Sequence, residues 1–174
     1  MADEKKEPWL NFLALTTVIL AVCATMATFK GGGYSTRSVM SQAQASDQWA
    51  FYQAKSMKSN LYEISVQQLE LQAAGASGER AADLKSKASE WAKKVAAYDQ
   101  EKAAIQAEAR RLEKVREEAQ KHSAAFGIAV IYLQISILLS SIAALLKKQP
   151  VWWLGLAVGA VGILYFINGF LLFL

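Results

Sequence analysis

Three apolar blocks, residues 10–29, 124–146 and 151–174, each without Asp, Glu, Lys or Arg, decide what this chain can fold into. A helix rises about 1.5 Å per residue and needs about 20 mainly apolar residues to cross about 30 Å of hydrocarbon, and all three blocks meet that requirement. The sequence therefore predicts an all-α membrane protein with three transmembrane helices. The first block is too long for the apolar core of a cleaved signal, and Thr28-Phe29-Lys30 is not a small-residue cleavage site, so an uncleaved anchor is expected. Three spans and one insert in 174 residues leave no room for a separate catalytic domain.

Composition narrows the function classes. The 53% hydrophobic and 20% charged residues average two different regions, the spans and the insert at residues 30–122. Within that insert fifteen Lys and Arg are interspersed with twelve Asp and Glu, without the one-signed basic face of a nucleic-acid binder. Cys23 is the only cysteine and lies in the first span, so no intrachain disulfide can form. His122 is the only histidine, at the membrane edge beside Lys121, with no Cys, Asp or Glu at metal-ligand spacing around it. The charged run Glu113, Lys114, Arg116, Glu117 and Glu118 fits the solvated face of a long helix. Neither catalytic residues nor a cofactor or metal site is expected, and the chain reads as non-enzymatic.

The insert reads as a long antiparallel coiled-coil hairpin between the first and second spans. Lys30-Gly31-Gly32-Gly33 is expected to end the first span, with Ser35 or Thr36 capping a first arm over about 35–74. Gly75-Ala76-Ser77-Gly78 forms the turn, and a second arm over about 79–122 runs on into the span at 124–146. Both arms carry alternate 3 and 4 spacings. The first seam reads Met40, Ala43, Asp47, Ala50, Ala54, Met57, Leu61, Ile64, Gln68, Leu71. The second reads Leu84, Ala88, Trp91, Val95, Tyr98, Lys102, Ile105, Ala109, Leu112, Arg116, Ala119, and continues through Ser123, Phe126, Val130, Leu133, Ile137 and Ser140. Folding the arms about Ser77 brings Asp47 within a turn of Lys102, a candidate polar layer that would fix register.

Within the spans, Gly155 and Gly159 with Gly162 offer close helix approach, and Gln134 and Asn168 are expected to hydrogen-bond neighbouring helices. No ionisable side chain lies inside a span, which disfavours a proton-coupled transporter. Lys5 and Lys6 in the tail at 1–9, and Lys147 and Lys148 between the last two spans, favour a cytoplasmic N-terminus and an extracytoplasmic hairpin.

Residues 46–63, SDQWAFYQAKSMKSNLYE, following TTVILAVCATMATF and joined by the basic turn LKKQPVWW, closely resemble the bacterial membrane-protein family DUF4337. The resemblance rests on Asp47, Gln48, Trp49, Tyr52, Gln53, Lys55 and Tyr62 and spans nearly the whole chain. It implies the span, hairpin and two-span architecture and a bacterial membrane, not an activity.

The same cluster carries the functional expectation. Its aromatics either widen the core between the two arms or, the reading favoured here, form an interface with another copy or a partner protein. The chain is thus expected to be a homo-oligomeric scaffold or assembly protein of the bacterial inner membrane. Its partners would be the lipid bilayer, further copies and an unidentified membrane or extracytoplasmic protein, without nucleic acid. A sensor or signal-relay subunit needing a separate output partner and a channel-forming oligomer are the alternatives.

Overall fold

The computed structural model describes residues 8–173 and, among them, contains three helices and no strand. They are α1 (Pro8–Ala74), α2 (Glu79–Leu146) and α3 (Gln149–Leu171). The tail residues 1–7, with Lys5 and Lys6, and Leu174 lie outside the described residues. Each helix contains a stretch long and apolar enough to cross a membrane, as a membrane protein requires.

Two short connections separate the helices. Gly78 takes a φ of +67° in the first, a conformation that costs glycine nothing. The second is tighter than the expected four-residue turn. Lys148 N–H donates to the Ala143 carbonyl at 3.2 Å and Lys147 N–H to the Ala144 carbonyl at 3.4 Å, a two-bond closure of α2 with Lys147 at φ 51°. The lysines beside the last carbonyls of α2 also complement its dipole. Pro150 then sits in the first turn of α3, where its missing N–H is harmless, so α3 starts at Gln149 rather than 151. At the other end the Asn168 side chain accepts the Phe173 N–H at 2.8 Å.

The expected break at Lys30-Gly31-Gly32-Gly33 is absent. α1 runs through it, and neither Ser35 nor Thr36 caps a helix; Thr36 Oγ1 donates instead to the Gly32 carbonyl at 3.1 Å inside α1. Gly31 explains part of the run. A Cβ there would stand 3.0 Å from Phe126 Cβ, and the Gly31 carbonyl accepts a 3.1 Å hydrogen bond from Ser123 Oγ. At Gly31 this contact with α2 offsets the helix penalty of about 1 kcal/mol that a glycine carries.

By contacts the chain divides into two compact units, one holding the chain up to Val39 with Arg116 onward, the other Met40–Val115. In the first, α1, α2 and α3 meet in three apolar layers. Leu13, Ala143 and Trp152 form one, Leu20, Ala24 and Leu133 the next, and Ala27, Phe126 and Ala129 the third. Gly155, Gly159 and Gly162 are buried in α3, where added Cβ atoms would meet Leu139, Ser136 and Leu133 at 3.3, 2.7 and 2.9 Å. Ser136 Oγ crosses this contact to the Gly155 carbonyl at 2.6 Å. Gln134 does not join them. It is exposed, because it lies about 100° round α2 from the buried Leu133.

In the second unit, α1 and α2 meet in descending order: Trp49 with Glu113, Lys55 with Glu101, Ser59 with Asp99 and Tyr62 with Trp91. On α2 the residues turned inward are those of the seam read from the sequence, Leu84 through Ala109 and Leu112. On α1 the opposite face is chosen. Every residue of the expected first seam, from Met40 to Leu71, is exposed. The inward face is Ser41, Ala45, Gln48, Tyr52, Lys55, Ser59, Tyr62, Val66, Leu69 and Ala73, which has the same alternate 4 and 3 spacing.

Candidate interaction site

The inward face of α1 is polar and aromatic, and Trp49 at its edge, Lys55 and Tyr62 each find a specific group on α2. Trp49 Nε1 donates to Glu113 Oε1 at 2.8 Å, and its ring meets Tyr52 edge-on at 5.6 Å between centroids. Tyr62 stands edge-on to Trp91 at 5.8 Å, lies 5.8 Å from Tyr98, and receives the Lys94 ammonium at 5.5 Å. Lys55 pairs with Glu101 and lies 5.1 Å from the Tyr98 ring centre. The Glu101 hydrogen bond is the main cause holding the Lys55 ammonium above its ordinary value, against partial desolvation. Aromatic rings with polar edges suit such a half-wet face, since ring area is buried while N–H and O–H groups keep partners.

Of the seven residues singled out from the sequence, Gln48, Trp49, Tyr52, Lys55 and Tyr62 are half-buried on this face, while Asp47 and Gln53 are exposed. The Asp47 to Lys102 layer does not form. With Trp49 level with Glu113, Asp47 lies about three and a half helical turns from Lys102. Lys102 is engaged by Asp99 on its own helix at 2.7 Å, and Ser59 Oγ donates to the same carboxylate at 3.4 Å. The hydrogen bond with Lys102 holds the Asp99 carboxyl below its usual range, and the reverse effect raises Lys102. Glu113, expected on the solvated face of α2, is instead half-buried against Trp49, and Asp99 was missed, because a single acid on a charged helix carries no periodic signal.

A second cluster, in the three-helix unit, gathers around His122. Its ring stacks on Tyr34 at 4.4 Å and 14°, and Nδ1 lies 2.8 Å from the Gly169 carbonyl, which requires a proton on Nδ1. Phe126 continues the stack 6.0 Å from Tyr34 and meets Phe170 edge-on at 4.9 Å. One histidine thus joins all three helices. Asn168, next to Gly169 in sequence, is buried and serves the end of α3. Among the described residues no three of His, Cys, Asp and Glu come together as a metal-binding group.

The fold and these contacts define an all-helical chain whose three helices each contain an apolar stretch of membrane-spanning length, with Met40–Val115 of α1 and α2 forming a compact unit of its own. Residues 9–172 match the family described as Domain of unknown function (DUF4337), and the chain belongs to that family. No curated protein and no solved structure matches it.

Proposed function

We propose that the protein is a non-enzymatic, self-associating scaffold of the bacterial inner membrane. In this reading the apolar stretches of α1, α2 and α3 span the bilayer. Residues 30–122 form an antiparallel coiled-coil hairpin outside it, and the N-terminus is cytoplasmic, which puts the hairpin on the extracytoplasmic side. One observation carries the reading: the outer face of α1 beyond the apolar block keeps Met40, Phe51, Met57, Leu61, Ile64 and Leu71 between 58% and 76% exposed. Monomeric soluble surfaces carry single apolar residues but not an aligned row of them, whereas interaction surfaces do.

The aromatic cluster contributes differently from the sequence expectation. Its contacts with α2 make it part of the hairpin that presents the outer face. Trp49→Ala with Tyr52→Ala is therefore expected to loosen the hairpin first. The test is the mass of the detergent-solubilised or nanodisc-embedded protein by light scattering after size exclusion. A discrete oligomer supports the scaffold, and a monomer at micromolar concentration overturns it.

A signal-relay subunit is the second reading, favoured by α1 and α2 each being one unbroken helix from an apolar stretch into the two-helix unit. It requires a stable output partner in stoichiometric amount. Reciprocal affinity purification from native membranes distinguishes the two.

A further inference from the structure

We infer that the outer face of α1 is a homotypic seam, along which the α1 helices of two copies pair in parallel and in register from Met40 to Leu71. This deepens the self-association reading and rests on it.

The face has the geometry of a helix seam. Met40, Ala54 and Leu61 take one core position of the heptad, Ala50, Met57, Ile64 and Leu71 the other, and all are exposed. The 3 and 4 alternation continues back along the same helix through Thr36, Gly33, Phe29, Met26, Val22 and Ile19, again exposed throughout. Lipid can cover the apolar part of that row. From Met40 onward, in the hairpin reading, lipid is no longer available.

Three observations select a second copy as the occupant. The first is charge: the positions flanking the seam are Gln, Ser, Asn, Val39, Phe51 and a single charged residue, Lys58, so identical faces meet without a wall of like charge. The outward face of α2 carries charged side chains such as Asp83 and Glu90, each tied to a lysine of its own helix, where α1 has its apolar row. The second is area. Six large side chains at this exposure present about 700 Å² per copy, against about 800 Å² per partner in a standard stable interface. The third is a gap in α1 itself. A Cβ added at Gly32 or Gly33 would meet nothing within 4 Å, and an open cleft of about 660 Å³ lies along Phe29, Gly32, Gly33 and Arg37. Gly31 is explained by Phe126, whereas Gly32 and Gly33 carry their helix penalty with no contact inside the chain. A neighbouring helix at close approach would use both.

Parallel pairing follows from the bilayer. Copies inserted with the same topology are related by a rotation about the membrane normal, which brings identical residues of α1 level. Asp47 and Gln68 then each face their own counterpart, polar layers that set register at a cost in affinity.

Disulfide trapping in native membrane vesicles tests this. In a Cys23→Ala background, Leu61→Cys is expected to form a covalent homodimer at least tenfold faster than Glu90→Cys on the outward face of α2. Met57→Glu with Leu61→Glu is expected to weaken association at least tenfold while helicity is kept, and Asp47→Asn to strengthen it. A discrete wild-type oligomer in which Leu61→Cys fails to cross-link, or cross-links to another protein, overturns the seam and leaves the scaffold reading standing. A monomeric wild type overturns both, and weaker association of Asp47→Asn overturns the in-register parallel arrangement.

Discussion

Gly162→Ala is the sharpest test of how α3 packs. An added Cβ would stand 2.9 Å from Leu133 Cγ, 3.0 Å from its Cδ2 and 3.0 Å from the Leu133 backbone nitrogen. The leucine side chain can rotate, but the backbone nitrogen belongs to an unbroken helix and cannot yield alone. Carbon contacts are comfortable at about 3.5–4.0 Å, so α3 must withdraw by about 0.5–1 Å at this level. That withdrawal reaches the neighbouring contacts, where Gly159 meets Ser136 and Ser136 Oγ bonds the Gly155 carbonyl at 2.6 Å. Overpacking of this kind costs about 1–3 kcal/mol, and the helix preference of Ala over Gly returns about 1 kcal/mol, for a net loss of up to about 2 kcal/mol.

Gly127→Ala is the matched control. It lies in the apolar stretch of α2, where a Cβ meets nothing within 4 Å, so only the propensity gain of up to about 1 kcal/mol remains. The two variants make the same chemical change and are expected to move in opposite directions by a combined ~1–3 kcal/mol. Unfolding by dodecyl sulfate titration in mixed micelles, followed by circular dichroism, reads the difference. Equal shifts for both, or a Gly162→Ala protein more stable than wild type, would refute this packing of α3 on α2.

Ser136→Ala and Ser140→Ala should separate in the same assay. Ser136 loses its bond to the Gly155 carbonyl and about 1 kcal/mol, while Ser140 Oγ, fully buried without a hydrogen-bond partner among the described residues, is expected to be replaced at no loss or a small gain. Trp49→Phe removes the donor to Glu113 while keeping ring area, and is expected to cost the two-helix unit about 1 kcal/mol, measured as faster amide exchange at residues 45–55. For Asp99, the depressed carboxyl contributes stability that is complete above the ordinary carboxylate range and is lost as pH falls through the lowered value; Lys102, raised, contributes below its ordinary range and is lost only as pH rises through the raised value. Acid titration of helicity below about pH 4 should therefore fall less steeply in Asp99→Asn than in wild type, and identical acid limbs would count against the ion pair.

The inward face of α2 was legible because its apolar residues occupy one stripe and the remaining faces are charged. Leu84, Trp91, Val95 and Tyr98 could face inward in only one way. The corresponding segment of α1 carries two stripes of identical spacing, and hydropathy favours the wrong one. Met57, Leu61 and Ile64 are more apolar than Tyr52, Lys55 and Ser59, yet the latter face α2 because Glu101 and Asp99 offer polar contacts there and Tyr98 a cation–π partner. Periodicity measures the direction of burial within one helix and holds no information on which neighbour supplies the partners. The glycine run misled for a related reason. Glycine signals a helix end by propensity alone, while the contact of Gly31 with Phe126 is a property of two helices.

The two stripes on α1 lie roughly opposite each other on the helical wheel, so one neighbour cannot cover both. The Met40–Val115 unit contains only one other helical segment, from α2, and that segment has a single inward seam. Three seams shared between two segments leave one over. The polar and aromatic stripe is the one closed within the chain, where fixed partners such as Glu113 and Glu101 give it a unique register. The apolar stripe, whose contacts are non-directional and tolerant of an identical partner, is the one left open. That division is the one the proposed scaffold requires: the surface needing specific partners is matched inside each chain, and the surface needing only area and neutral flanks is left exposed.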